Sequence, residues 1–233
     1  AVFAVLLRLY QLSPAFADGW PGHLLSLLAV ASILVGNLLA LLQNNLKRLL
    51  GYSSIAHFGY LLIALIASQG IASEAIGVYL FTYVLTSLGA FGVITLMSTP
   101  YQGRDTDALF EYRGLFWRRP YLTAVLATMM LSLAGIPLTA GFIGKFYVVA
   151  AGVESQQWWL LGSLILGSAI AVFYYLRVMV TLFLVEPSLQ RRDAPLHWAQ
   201  RAGGIMLLVV AGLTLLLGVY PQPLLAVVQN VGF

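Results

Sequence analysis

Of 233 residues, 61% are hydrophobic and only 9% charged, against about 25% charged in an ordinary soluble domain. So little polar surface excludes a soluble enzyme, a nucleic-acid-binding protein and a disordered chain, and a mean hydropathy of +0.91 implies a polytopic membrane protein. The absence of cysteine leaves no disulfide framework, Cys-based zinc site or iron–sulfur cluster, and the net charge of +4 fits membrane topology better than nucleic-acid binding.

The chain opens on Ala1-Val2-Phe3-Ala4-Val5-Leu6-Leu7, apolar from the first residue and with no basic segment before it, which does not read as a signal peptide. This run is too short to cross a hydrocarbon core of about 30 Å. It reads as the end of a truncated transmembrane helix, so the chain is expected to be a fragment. Full spans are expected at about 22–43, 47–68 and 73–97, followed by a polar stretch from Ser98 to Arg119 with seven charged residues. The next apolar region, about 120–152, is well over the 20 or so residues a spanning helix needs. It carries Ala134-Gly135-Ile136-Pro137-Leu138-Thr139-Ala140-Gly141 near its middle. Proline removes a backbone donor and glycine loosens the helix, so a helix broken at Gly135–Pro137 is expected. Further spans are expected at about 157–185 and 203–220, the last ended by Pro221 and Pro223.

The predicted fold is all-α: six full transmembrane helices plus one truncated, in a single transmembrane domain over 1–233. Nothing alternates with the period of a β-barrel strand. Assigning the loops alternately to two sides places nine of the twelve Lys and Arg on one side, including Lys47, Arg48, Arg104, Arg113, Arg118, Arg119, Arg191, Arg192 and Arg201. The positive-inside rule makes that side cytoplasmic. The split requires region 120–152 to cross once.

Lys145 is the leading functional candidate. It lies eight residues before Val153, about 12 Å from the outer end at 1.5 Å per residue. A lysine at that depth is functional by default, and the adjacent break frees backbone groups that water or ions can satisfy. The competing reading is a snorkelling lysine. His57 is second, about 15 Å in from the cytoplasmic edge, with Ser53 and Ser54 on its helix face as a proton-relay environment. Its alternative is a neutral core histidine. Gly135, Pro137 and Thr139 are expected to support or hydrate the path. Arg177 reads as snorkelling, and Glu74 and Glu154 as solvated outer-edge residues. Gly51, Gly59, Gly89, Gly92, Gly162 and Gly167 read as close-packing positions between helices. The stretch Asp107–Trp117 is expected to lie along the cytoplasmic interface or to dock on a partner. Trp158 and Trp159 fit the outer aromatic belt. Three scattered His make a metal site an unfavoured reading, and no phosphate-loop or dinucleotide motif occurs.

Two long runs resemble a known family. Asn44-Asn45-Leu46-Lys47-Arg48-Leu49-Leu50-Gly51-Tyr52-Ser53-Ser54-Ile55-Ala56-His57 and Leu131-Ser132-Leu133-Ala134-Gly135-Ile136-Pro137-Leu138-Thr139-Ala140-Gly141-Phe142-Ile143-Gly144-Lys145-Phe146-Tyr147 are similar to the antiporter-like subunits of respiratory complex I, NADH–quinone oxidoreductase. Tyr112-Arg113-Gly114-Leu115-Phe116-Trp117 and Tyr174-Tyr175-Leu176-Arg177 strengthen the resemblance, which runs over essentially the whole chain. It implies the C-terminal half of a fourteen-span subunit built from two inverted repeats, located in a bacterial inner membrane. It makes Lys145 the terminal proton-carrying lysine on a broken helix and places His57 within a polar axis at mid-membrane. A lysine at this position, and no long lateral helix at the end, distinguish the chain from two sibling types. The resemblance implies no cofactor on this chain, with NADH, flavin, iron–sulfur clusters and quinone on other subunits. Its partners would be neighbouring antiporter-like and small membrane subunits and the lipid bilayer, with no nucleic acid. It implies a non-redox subunit of an enzyme, and a fragment not expected to be active alone, because the first repeat's glutamate and lysines would precede Ala1. The alternatives are a subunit of an Mrp-type sodium/proton antiporter and a purely structural membrane subunit.

Overall fold

The computed structural model describes residues 2–12, 19–67, 71–98, 107–184 and 202–231. Nine helices of ten or more residues follow one another there: α1 (Val2–Leu12), α2 (Trp20–Leu41), α3 (Leu46–Ala67), α4 (Ala72–Met97), α5 (Pro120–Ala134), α6 (Ala140–Glu154), α7 (Trp158–Phe183), α8 (Ala202–Val219) and α9 (Gln222–Val231). No strand occurs among the described residues; Asn45 and Ala108 form one isolated antiparallel bridge. The expected spans at 22–43, 47–68 and 73–97 coincide with α2, α3 and α4 to within two residues. By length and composition, α2, α3, α4 and α7 are each able to cross a membrane, and the bent pair α8–α9 raises the number to five. That is fewer than the six expected, because α5 and α6 have 15 residues each and reach only about 22 Å apiece.

The apolar content explains the helices, and local chemistry places their ends. Pro21 and Pro120 stand in the first turns of α2 and α5, where a missing N–H costs no hydrogen bond. The end of α5 is a glycine-terminated cap. Gly135 has φ 80° and ψ 40°, its N–H reaches Ser132 O at 3.0 Å, and the Ile136 N–H reaches Leu131 O at 3.0 Å. These bonds satisfy carbonyls that the helix leaves open. Pro137 then prevents continuation, and the chain re-enters a helix at Ala140. The break expected at Gly135–Pro137 is therefore present and extends through Thr139.

Packing is most extensive between α2 and α3. A Cβ at Gly36 would come within 2.7 Å of Ala56 N, and one at Gly59 within 2.8 Å of Ala29 O. The two backbones approach closely there, with Ile33 also packed against Gly59, the usual device for helix association in lipid. Gly89, Gly92 and Gly167 are also packed against other helices, as expected. Gly51 and Gly162 are not: nothing lies within 4 Å of a Cβ at either. Glycine content alone does not reveal which face of a helix is covered.

One apolar core joins α3, α4, α5 and α7 around Tyr112, Met129 and Tyr174; a second joins α1, α3, α4 and α6 around Tyr60 and Val148. Leu27, Ile165, Leu166 and Phe173 point outward, as residues facing hydrocarbon do. The segment Asp107–Trp117 forms a 3₁₀ turn, Leu109–Tyr112, and one helical turn, Leu115–Arg118. Leu109, Tyr112 and Leu115 are buried against the chain's own helices while Phe110 and Trp117 are exposed, so this segment docks inward. Backbone bonds from Leu46 N to Asp107 O (2.7 Å) and from Leu109 N to Asn44 O (2.8 Å) fasten it to the α2–α3 connection. After Pro221 the chain turns by 91° into α9, with Pro223 in the first turn. Leu224 and Val228 are buried, and Gln229 Nε2 donates to Glu74 Oε1 at 3.2 Å.

Candidate functional site

Lys145 sits in the second turn of α6 and is 8% exposed. Its Nζ donates to the carbonyl of Ala134, the last residue of α5, at 2.8 Å. An ammonium at a helix C-terminus meets carbonyls without internal partners and the negative end of the helix dipole. The face of Tyr60 lies 5.5 Å away, within range of a cation–π contact. Gly135 makes room for this arrangement: a Cβ there would fall 2.7 Å from Lys145 Cδ. The structure therefore packs the lysine between the described helices with its Nζ turned to the break.

His57, 4% exposed, lies between two phenols. Nδ1 is 2.7 Å from the Tyr79 hydroxyl and Nε2 is 3.3 Å from the Tyr175 hydroxyl. A neutral imidazole has one N–H and one bare nitrogen, so one phenol donates to the ring and the other accepts from it. The expected serine partners do not take this role. Ser53 and Ser54 both donate to Leu50 O, each at 2.8 Å, as mid-helix serines often do; Ser53 also neighbours the Tyr175 hydroxyl. Thr139 is buried and donates to Ile136 O at 2.7 Å, and Pro137 is exposed. These two shape the break, and neither lines the cavity described next.

Lys145 and His57 share a small polar cavity with Tyr79, Thr82, Thr86 and Ser132. Its volume of about 10 Å³ for the centre of a water molecule holds about one water. One wall is an ordered hydroxyl chain. Thr86 Oγ1 donates to Thr82 O at 2.6 Å, so at 3.0 Å Ser132 Oγ donates to Thr86, and Ser132 in turn accepts the Gly141 N–H at 3.0 Å. Ser132 thereby satisfies a free N–H at the start of α6, as Lys145 satisfies a free carbonyl at the end of α5. The break is clasped from both sides.

Several residues of the site were not anticipated: Tyr60, Tyr79, Tyr174, Tyr175, Thr82, Thr86, Ser132 and Asn37. For some of them a weak signal was present. Tyr79, Thr82 and Thr86 share one helical face by spacing, and Asn37 is a lone amide within a 22-residue apolar helix. Arg177 is half-buried and donates to Gln43 O, so it ties α7 to the α2–α3 connection at the end of the expected span 22–43. Among the described residues no group of three His, Asp or Glu is arranged to hold a metal.

The profile of a family described as "NADH:quinone oxidoreductase/Mrp antiporter, TM" matches residues 1–173. The chain is 82% identical over 230 residues to NADH-quinone oxidoreductase subunit N of Ectopseudomonas mendocina, covering 99% of this chain and 47% of that one. It is 66% identical to the subunit N of Chromohalobacter salexigens, covering 97% and 47%. The chain thus spans about half the length of the curated relatives it matches. Among solved structures, a chain of respiratory complex I from Thermus thermophilus with bound aureothin superposes with a TM-score of 0.77 at 36% identity, covering 88% of this chain and 45% of that one. A chain of the Mrp complex from Dietzia sp. superposes with a TM-score of 0.82 at 20% identity, covering 97% and 49%; at that identity the likeness shows the fold alone.

Proposed function

Because the chain belongs to the NADH:quinone oxidoreductase/Mrp antiporter transmembrane family, we propose that it is the C-terminal half of a proton-translocating subunit N of NADH–quinone oxidoreductase, in a bacterial inner membrane. Identities of 82% and 66% to proteins of that name support the assignment over an Mrp-type antiporter subunit. Co-purification with quinone-reductase subunits tests that choice directly. In this reading the chain is one multi-pass transmembrane domain. The six spans are α2, α3, α4, the pair α5–α6, α7 and α8. NADH, flavin, iron–sulfur clusters and quinone belong to other subunits, and the partners are the neighbouring membrane subunits of the complex.

The observation that carries the mechanism is the Lys145 ammonium, buried at the helix break and sharing a one-water cavity with His57. A lysine so placed can hold a proton, because the α5 carbonyl end and the Tyr60 face stabilise the charge. It can also release that proton to water in the cavity. His57 relays by exchanging tautomers. One phenol gives its proton to the bare nitrogen while the other nitrogen gives its proton to the second phenol; the step balances when the second phenol passes its own hydroxyl proton onward and the first is reprotonated from its far side. Tyr79 and Lys145 border the same cavity, so one water bridges relay and carrier.

The test is Lys145→Ala in the full-length subunit within the complex. Quinone reductase rate and proton pumping are measured per assembled complex. A sharp fall in coupled activity with assembly intact supports the proposal. Wild-type rates would falsify it and leave a purely structural role.

A further inference from the structure

Asn37 lies on α2, a helix that contributes neither Lys145 nor His57, and it is 0% exposed. All its hydrogen-bonding groups have partners. One contact is to Ile33 O at 2.7 Å, one to the Tyr60 hydroxyl at 3.1 Å, and one to the Tyr174 hydroxyl at 3.0 Å. A backbone carbonyl can only accept, so the amide atom facing Ile33 is Nδ2. That fixes the rest. The second Nδ2 hydrogen goes to the Tyr60 oxygen, and Oδ1 must receive its proton from Tyr174. The Tyr174 hydroxyl is thereby committed outward, onto an amide that does not titrate. Tyr60 accepts, and its own O–H remains free to donate.

The two tyrosines that Asn37 orders are the ones behind the proton-carrying pair. Tyr60 presents its face to Lys145 Nζ at 5.5 Å and packs edge-on to the His57 ring with centroids 5.6 Å apart. Tyr174 packs on Tyr175 at 4.5 Å, and Tyr175 bonds His57. Gly167 opens the space for the clamp, since a Cβ there would come within 2.9 Å of Asn37 Nδ2 and 3.0 Å of the Tyr60 hydroxyl.

We propose that Asn37 is a positioning residue of the proton path: it fixes the hydroxyls of Tyr60 and Tyr174, closes the network towards α2, and so confines proton exchange to the His57–Lys145 side. The inference rests on the proposed proton-carrying role of Lys145. A buried asparagine that only glues helices contributes to assembly and nothing more, which gives the test its contrast.

The experiment uses the complete complex with full-length subunit in membrane vesicles, reading complex content, pumping per assembled complex and the solvent deuterium isotope effect. The variants are Asn37→Leu, Tyr60→Phe, Tyr174→Phe, Lys145→Ala, and Asn37→Leu with Lys145→Ala. For Asn37→Leu we expect pumping per complex to fall about five- to thirty-fold, the size of effect for one or two kcal/mol, with a larger isotope effect. The two Tyr→Phe variants should fall in the same direction, and Asn37→Leu should add nothing to Lys145→Ala. If Asn37→Leu fails to assemble, the Tyr→Phe pair decides. Wild-type pumping and isotope effect in both Tyr→Phe variants, or in Asn37→Leu, overturn the inference. If Lys145→Ala still falls, the function stands without it; wild-type pumping in Lys145→Ala sinks the function itself.

Discussion

Nζ of Lys145 donates a hydrogen bond to the carbonyl of Ala134, so a side chain of α6 also caps the half-helix before it. Loss of that donor uncaps α5. Lys145→Met keeps the length of the side chain and removes its ammonium. We expect assembled complex with coupled activity lowered at least about ten-fold, the equivalent of about 1.4 kcal/mol. Activity assays normalised to complex content check this. Lys145→Arg tests geometry, because a planar guanidinium is no equivalent of a point charge on a flexible stem, and partial activity is the expected outcome.

Gly135 answers two demands, a φ of 80° and clearance for the lysine stem. In Gly135→Ala the left-handed backbone alone costs about 1–2 kcal/mol, and the new methyl displaces Lys145. Lower thermal stability of the purified complex, together with reduced pumping, is expected. Unchanged pumping would mean the Lys145–Ala134 contact does not matter for transfer.

The phenol contacts of His57 predict a graded series. Tyr79→Phe removes the 2.7 Å partner and Tyr175→Phe the 3.3 Å one, and the closer contact should matter more. Ser53→Ala and Ser54→Ala should leave pumping within about two-fold of wild type, since their hydroxyls bond Leu50 O and neither touches the imidazole. A strong pumping defect in the serine variants with Tyr79→Phe silent would reverse the assignment.

Ser132 joins the break to α4 through Thr86 and caps Gly141. Ser132→Ala is expected to cost about 0.5–2 kcal/mol, the range for a lost N-terminal cap. A lowered unfolding temperature measures it.

The close contact of α2 with α3 separates two glycines of similar sequence context. Gly59→Val drives a branched side chain into Ala29 O and Ile33 and should abolish assembly. Gly51→Ala enters open space and should assemble at wild-type levels. Complex content on native gels distinguishes the two.

Much of the architecture was legible in the chain, because a bilayer leaves few choices. Backbone groups in hydrocarbon must bond within their own segment, so apolar runs of about 20 residues announce helices, and Gly135 with Pro137 announces the break. Lys145 stood out for the same reason, as a charge in a place that penalises charge. The residues around it did not stand out. Tyr60, Tyr79, Tyr174, Tyr175 and Asn37 come from four helices, and a tyrosine in an apolar run looks alike whether it faces lipid or a histidine. Ser53 and Ser54 share a helix face with His57, but that spacing does not tell that their hydroxyls bond Leu50 O. Which faces meet is decided by packing between segments far apart in sequence, such as Asn37 with Tyr174. Hydrogen bonds across those interfaces, fixed only once the helices are side by side, turn a buried lysine and histidine into neighbours of one cavity.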